Sequence, residues 1–426
     1  MGIKLLKNID FSMKKNEFDI LKSETKLFLS LLKKSIKKQK IKADVFVGGS
    51  FAKNTMMEGK EYDIDIFVRF DKKYADKSIS LFLERVIKNL KIKYQKVHGS
   101  RDYIQIQKNR KIAFEIIPVI KIKKANEARN TTDLSYFHVN YVKKRLNDKL
   151  RKEISITKKF FKAQKVYGAE SYISGFSGYA IECLIIHYKT FENMIRAFSK
   201  ASGRPGKDNE KIIIDPERQY KKQEIMIEMN ESKTHSPIVL VDPTWKERNV
   251  LAALSLETFD KTKEAINSFL KHPNISYFEV KAININNLKQ LAKKNDSEFL
   301  HINIKTDRQE RDIAGTKLRK FSKFIIGELE KYFIITKDEF DYKLKRNADL
   351  YLILKSRKEI IKQGPPLTMK ENVAAFKKAN NNTFTKNGKI YSRMKINFTA
   401  KDFIKKYKKD NQEKLNEMDI INLEVD

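Results

Sequence analysis

The sequence predicts a multidomain α+β fold, and three observations carry that prediction. At 426 residues the chain exceeds the roughly 100–200 residues of one domain. A hydrophobic fraction of 41% is enough to build real cores. The apolar pattern also changes character along the chain: strand-like runs mixed with helices, then helical periodicity, then strands and helices again. No internal repeat is visible. These shifts divide the chain at 1–145, 146–272, 273–356 and 357–426.

In the first segment, residues 19–39 read as a basic amphipathic helix with Leu21, Leu27, Phe28, Leu31, Leu32 and Ile36 near helical spacing. "ADVFVGGS" is a short strand ending in a glycine turn, "YDIDIFVRF" a second strand, and "SISLFLERVIKNL" a helix. "IQIQ" and "IAFEIIPVI" are two further strands. From "VNYVKKRLNDKLRKEISITKKFFKAQKVYG" to "FENMIRAFSK" the chain is mostly helical, and "ASGRPGKDNE" breaks it as a surface loop. "SPIVLVDP" predicts a strand closed by a proline turn, followed by a helix near 247–271. "YFEVKAINI", "EFLHINIK", a helix at 312–331, "FDYKL" and "ADLYLILKS" predict a smaller α+β unit. The last segment opens with "QGPPL", carries the hairpin-like turn "KNGK", and ends in a lysine-rich stretch before an acidic terminus.

Lys and Arg number 89 against 54 acidic residues, a formal net charge of +35. Such an excess favours a polyanionic partner, because each neutralised phosphate releases counterions. Spread lysines also simply solubilise a chain rich in Lys, Ile and Asn. The single cysteine, Cys183, lies in the apolar run "AIECLIIHY" and reads as a packed core thiol. One cysteine allows no internal disulfide, which fits a reducing compartment. Lysines interrupt the N-terminal "MGIKLLKNIDFSMKK" as no signal peptide would allow, and no stretch reaches the roughly 18 apolar residues of a membrane span. The expected location is cytoplasmic.

The chemistry is concentrated in "GGSFAKNTMMEGKEYDIDIFVRF". On a strand, residues two apart share a face, so Asp63 and Asp65 project side by side while Ile64, Ile66 and Val68 fill the other face. Two adjacent carboxylates repel, and burial makes their ionisation costlier. A divalent cation relieves both penalties, and Mg²⁺ suits one or two carboxylates plus substrate phosphates. The bare tripeptide fits an edge strand facing solvent equally well. Its context adds "GGS", whose backbone N–H groups and Ser50 hydroxyl suit phosphate, and Glu115 in another apolar strand. Three strand carboxylates facing such a turn are the parts of two-metal phosphoryl or nucleotidyl transfer.

"GGS", a polar loop and "DID" resemble the signature of the DNA polymerase β-type nucleotidyltransferase superfamily. "GGSFAKNT", "TTDLSYFHVNYV", "FFKAQKVYGAESYISGFSGYAIECLIIHY" and "VDPTWKERNVLAALS" further resemble, in order and spacing, the archaeal (class I) CCA-adding enzymes. The likeness covers most of 45–265 and returns at "GPP…ENVAAF". It implies a polymerase β-like head with a mixed sheet (1–145), a helical neck (146–272), an α+β body (273–356) and a tRNA-binding tail (357–426). It implies addition of C, C and A to the 3′ end of tRNA from CTP and ATP, with Mg²⁺ as cofactor and the acceptor–TΨC arm of tRNA as partner. The family includes homodimers, although no surface patch in the sequence argues for one.

By the same resemblance, Asp63 and Asp65 are the metal-binding pair, and Glu115 stands where the family has aspartate. Gly49, Ser50, Lys53, Ser135, His138, Lys158, Tyr167 and Arg248 fall at nucleotide-binding positions. Lys53 stands where arginine is common, keeping the charge but losing the planar fork. Lys158 and Tyr167 match positions that hold phosphates, and Arg248 the arginine that contacts the incoming base. Each also has an ordinary structural reading. Lys158 lies among other lysines, Tyr167 before Gly168 suits helix-end packing, and Asp242, Trp245 and Asn249 suit a helix cap that leaves Arg248 a surface charge. The chain ends sooner after "KIYSRMKINF" than the resemblance leads one to expect, implying a shortened tail. Two other functions share these features: a poly(A) polymerase-like RNA nucleotidyltransferase, and a catalytically silent RNA-binding relative.

Overall fold

The amphipathic run near the N-terminus forms a 24-residue helix, Lys15–Lys38, in the computed structural model, which describes residues 3–75, 78–99, 101–201, 211–221 and 225–426. Leu21, Phe28, Leu32 and Ile36 are buried, but Leu27 and Leu31 are exposed at 64% and 47%. The helix lays a single stripe on the sheet beneath it, so residues one step further around the helical wheel face away. The chain divides into two compact units, Met1–Lys281 and Ala282–Asp426.

The sheet under that helix is built from β1 (Ala43–Val47), β2 (Tyr62–Phe70), β3 (Gln95–Val97), β4 (Tyr103–Gln107) and β5 (Ile112–Ile120). Its order is β1-β2-β5-β4-β3, with β2 and β5 parallel and every other pair antiparallel. Alternation along β2 sends Tyr62, Ile64, Ile66, Val68 and Phe70 into the core, where they meet Phe28, Leu32, Leu83 and Phe114. Phe28 stacks on Phe114 with centroids 4.4 Å apart. The opposite parity of β2 carries Asp63 and Asp65 to the other face of the sheet.

The rest of the first unit is mainly helical, with helices at Ser135–Arg145, Asp148–Ala163, Gly178–Tyr188, Phe191–Lys200 and Leu256–Lys271. They share a core rich in phenylalanine, including Phe160, Phe161, Phe176, Phe191, Phe198 and Phe269, and Cys183 is buried in it as expected. Side-chain caps start three of these helices: Asn147 accepts from the Leu150 amide, Ser177 from Ala180 and Ser255 from Thr258.

A three-stranded sheet, β6 (Ile212–Ile214), β7 (Ile238–Asp242) and β8 (Trp245–Asn249), corrects the expected helix near 247–271. Residues 245–249 are strand, and the helix begins only at Leu256. The Asn249 side chain accepts from the Leu240 and Leu251 amides, holding this segment extended beside β7 instead of capping a helix. The loop expected at "ASGRPGKDNE" lies, from residue 202 to 210, outside the described residues. "YFEVKAINI" forms no strand either: a short 3₁₀ turn, Ile275–Phe278, buries Phe278 in the helical core instead.

The second unit contains an antiparallel sheet of β9 (Glu298–Lys305), β10 (Phe333–Tyr342), β11 (Asn347–Ser356) and β15 (Asn422–Val425), in the order β10-β11-β9-β15. The helix Asp312–Glu330 packs on it through Leu318, Phe321 and Ile325. A smaller sheet is made of β12 (Glu359–Pro366), β13 (Thr383–Lys386) and β14 (Lys389–Lys395). Asn387 and Gly388, both at positive φ (48° and 72°), make the tight turn that "KNGK" predicts. The lysine-rich stretch forms the helix Ala400–Asp410, opened by a capping box between Thr399 and Asp402. Among the described residues no helix is long and apolar enough to cross a membrane.

One buried acid ties the start of the helical layer to the five-stranded sheet. Asp133 accepts from Arg101 Nη1 (2.5 Å), from the Ile120 amide at the end of β5 (2.9 Å), and from the Arg129 and Asn130 amides (3.2 and 3.1 Å). It thereby sets where the Ser135–Arg145 helix begins. Asp133→Ala leaves Arg101 and three amides without their acceptor, and the expected loss is about 3–5 kcal/mol. Urea unfolding measures it; a loss below ~1 kcal/mol would show that the network does not hold these elements together.

Candidate active site

The site begins where β1 ends. Gly48 donates its amide to the Asp65 carbonyl at 2.8 Å, and Gly49 follows with φ +59°. A Cβ at Gly49 would stand 1.7 Å from Asp65 Oδ2, so only glycine lets the backbone come this close to the carboxylate. The short helix Gly49–Lys53 then carries Ser50, half-buried, and Lys53, buried.

Asp63 and Asp65 share the face opposite the core, as the alternation of β2 requires. The parallel register of β2 and β5 puts Glu115 directly beside Asp65 and Ala113 beside Asp63. Gln105, across on β4, donates Nε2 to Glu115 Oε1 at 3.3 Å. Burial pushes the Asp65 carboxyl up to about 6; the Lys53 charge opposes that rise and the Asp63 charge adds to it. Among the described residues no three His, Cys, Asp or Glu side chains gather tightly enough to enclose an ion by themselves. The donor set is instead that of an ion shared with a ligand: two carboxylates on an open face, one of them made hard to ionise by its surroundings, which a divalent cation would relieve.

Lys53 points into the protein. Its Nζ lies 2.5 Å from Glu182 Oε2. Lys158 Nζ reaches Glu182 Oε1 at 3.1 Å and bonds to the Thr55 carbonyl and hydroxyl at 3.0 and 3.1 Å. The Thr55 hydroxyl donates to Glu182 Oε1 at 2.6 Å. Burial alone would raise the Glu182 carboxyl, but Lys158 and Lys53 outweigh it and hold the group down to about 2. Tyr167 lies alongside: a Cβ at Gly178 would stand 3.0 Å from its hydroxyl and 3.9 Å from Lys158 Nζ. Burial, with Glu182 adding to it, pushes the Tyr167 phenol up to about 12, so it remains a proton donor.

A second cluster gathers around Asp242 at the end of β7. His138 Nε2 lies 3.0 Å from Asp242 Oδ2, to which Arg248 Nη1 donates at 2.6 Å. Tyr179 donates its hydroxyl to Oδ1 at 3.1 Å and stacks its ring on His138 at 4.0 Å. Burial opposes ionisation of Asp242, but the His138 and Arg248 contacts and the Thr244 amide hold its carboxyl well below the ordinary range. Burial lowers the His138 imidazole, overcoming the pull of Asp242. Neutral His138 therefore donates from Nε2. Ser135 opens the same helix three residues earlier, on the same side as His138.

The structure thus brings Gly49, Asp63, Asp65 and Glu115 into one cluster, and Lys53, Lys158 and Tyr167 into another. His138 and Arg248 meet around Asp242. Lys53 links the groups, since its charge acts on Asp65 and its Nζ lies 5.9 Å from the Tyr179 ring centroid. Sequence reasoning missed Glu182, Thr55 and Tyr179, and took Asp242 for a cap. The available signal was the acid inside "AIECLIIHY", because a charge in an apolar helix needs a buried partner.

Residues 152–279 match the family "tRNA nucleotidyltransferase, second domain", and residues 3–160 the "Second Messenger Oligonucleotide or Dinucleotide Synthetase domain". The CCA-adding enzyme of Nanoarchaeum equitans is 36% identical over 371 residues, covering 85% of this chain and 87% of that one. Those of Thermoplasma volcanium and Methanocaldococcus jannaschii are 28% and 27% identical, over 85% and 82% of this chain and 77% of each relative. A cytoplasmic RNA terminal U-transferase structure aligns with 64% of this chain and 96% of its own, at 13% identity and a TM-score of 0.46.

Glu182→Gln leaves two buried ammonium groups facing a neutral amide, and the expected loss of stability is about 3–5 kcal/mol. The folded-state carboxyl is depressed from 4.5, so its contribution is complete above that pH and fades as the pH falls towards 2. Unfolding free energies measured between pH 7 and pH 3 should therefore converge for the two proteins; a constant gap would show that Glu182 is not the titrating partner.

Proposed function

The chain belongs to the archaeal (class I) CCA-adding enzymes, and we infer that it adds C, C and A to the 3′ end of tRNA from CTP and ATP without a nucleic-acid template. The observation that carries the reading at the level of residues is the juxtaposition of Asp63, Asp65 and Glu115 with the Gly49 turn on one face of the sheet. Nucleotidyl transfer requires carboxylates beside a place for a triphosphate, and the carboxylates on this face with the glycine turn beside them support that reading.

A divalent cation is expected in this fold; we assign it as Mg²⁺ held by Asp63 and Asp65, with Glu115 as the third carboxylate. When bound, it would supply positive charge to the attacking and leaving oxygens and favour deprotonation of the tRNA 3′-hydroxyl. The protein's own residues do the rest. The Gly49–Ser50 turn, Lys53, Lys158 and the Tyr167 hydroxyl are assigned to the triphosphate, whose negative charge would share the two ammonium groups now paired with Glu182. Their burial strengthens that attraction. Arg248 is assigned to the incoming base, with Ser135 and His138 on the neighbouring helix lining the pocket.

The four segments 1–145, 146–272, 273–356 and 357–426 are assigned as head, neck, body and tail. Body and tail would take the acceptor–TΨC arm, an A-form helix recognised by shape and backbone. The lysines of the Ala400–Asp410 helix are exposed or half-buried and suited to phosphate. The buried lone cysteine fits work in the cytoplasm.

A tRNA lacking its last three nucleotides, incubated with the protein, CTP, ATP and Mg²⁺ and then sequenced, should gain C-C-A and stop. Open-ended adenylation would overturn the reading in favour of a poly(A) polymerase-like enzyme. Asp65→Asn should lower addition by about a hundredfold or more while sparing tRNA binding, measured by gel shift. Glu115→Gln should cripple turnover in the same assay, whereas a near-normal rate would place the third ligand elsewhere.

A further inference from the structure

Arg248 can only donate hydrogen bonds. Cytosine and adenine share one feature on their pairing edge, an unprotonated ring nitrogen beside an exocyclic amine. Uracil and guanine present a ring N–H there, flanked by a carbonyl oxygen. A guanidinium held in one direction therefore suits C and A and opposes U and G. An arginine free to swing on its flexible chain would find the neighbouring carbonyl of U or G and lose that distinction. Selectivity of this kind depends on what holds the arginine still.

In this structure the holder is Asp242. Arg248 Nη1 donates to its Oδ2 at 2.6 Å, and the carboxylate is itself immobilised from several sides. Oδ1 accepts from the Tyr179 hydroxyl at 3.1 Å and from the Thr244 amide and hydroxyl, both at 2.8 Å. Oδ2 also accepts from His138 at 3.0 Å, and the Asp242 carbonyl accepts from Gln219 Nε2 at 2.9 Å. Asp242 is fully buried, while the Arg248 side chain keeps 23% of its surface exposed. The partners of the carboxylate itself come from the helices Ser135–Arg145 and Gly178–Tyr188 and from the β7–β8 turn, so its direction is fixed by three separate elements.

We propose that Asp242 is a specificity-determining positioning residue, which acts through Arg248 by holding its guanidinium in the direction that accepts C and A and rejects U and G. The inference rests on the assignment of Arg248 to the incoming base. It extends that assignment to the residue that makes it selective.

The test measures kcat/KM for Asp242→Asn, Arg248→Ala and the double variant. CTP is compared with UTP on a tRNA lacking its last three nucleotides, and ATP with GTP on one ending in C-C. Asp242→Asn should lower both preferences about tenfold or more, and the double variant should be no less selective than Arg248→Ala alone. If Asp242→Asn keeps wild-type preferences while slowing all four nucleotides alike, Asp242 is only a structural support and the proposal falls. Wild-type preferences in Arg248→Ala would instead overturn the assignment of Arg248, and with it any action through that residue. Where Asp242→Asn does not fold, judged by circular dichroism, Tyr179→Phe/Thr244→Val frees Oδ1 of two hydroxyls and leaves the carboxylate in place. That variant should lose about fivefold in preference, and unchanged preference in it also overturns the proposal.

Discussion

Two lysines assigned to the triphosphate are buried, and a buried ammonium is stable only beside an anion. Glu182 supplies that anion to both, with one oxygen on Lys53 and the other on Lys158 and Thr55. The four residues come from the Gly49–Lys53 helix and its following loop, the Asp148–Ala163 helix and the Gly178–Tyr188 helix. The pairing therefore does more than cancel charge. It sets how the sheet face bearing Asp63 and Asp65 stands against the helical layer bearing Tyr167, Tyr179 and His138. If these lysines take the triphosphate as proposed, their charges are fixed in place before it arrives, which is what electrostatic preorganisation requires.

The opposite sign is arranged with equal economy on the face of the sheet. Strand parity separates the core residues Ile64 and Ile66 from Asp63 and Asp65, and parallel pairing adds Glu115 at the level of Asp65. Gly49 closes on Asp65 where any side chain would collide. Burial raises the Asp65 carboxyl and the Asp63 charge adds to the rise, against the opposing charge of Lys53. Acids on the sheet face with cations behind them form the local dipole that the proposed metal–triphosphate would need. The net charge of +35 draws in the RNA over a longer range.

Asp242 repeats the logic of Glu182 on a smaller scale. A buried carboxylate is satisfied by several donors and in return orients them. Glu182 organises residues assigned to phosphate, and Asp242 organises Arg248, assigned to the base. Neither acid belongs to the set proposed to hold the metal, and both are fully buried.

What the sequence by itself determined is the local geometry. The alternation of "YDIDIFVRF" placed both aspartates on one face, and the Asn-Gly pair made its hairpin. These features depend on neighbours within a few residues, so periodicity and turn chemistry suffice. Order and spacing of the longer motifs likewise made the family legible. Only the tertiary structure decided which charges meet. Lys53 and Glu182 are 129 residues apart and His138 and Asp242 are 104 apart, and no local pattern records such a pairing. The same distance effect turned 245–249 from an expected helix into a strand, because its partner β7 and the bonds of Asn249 outweigh local propensity. A buried charge can be suspected from sequence, but its partner is chosen by packing.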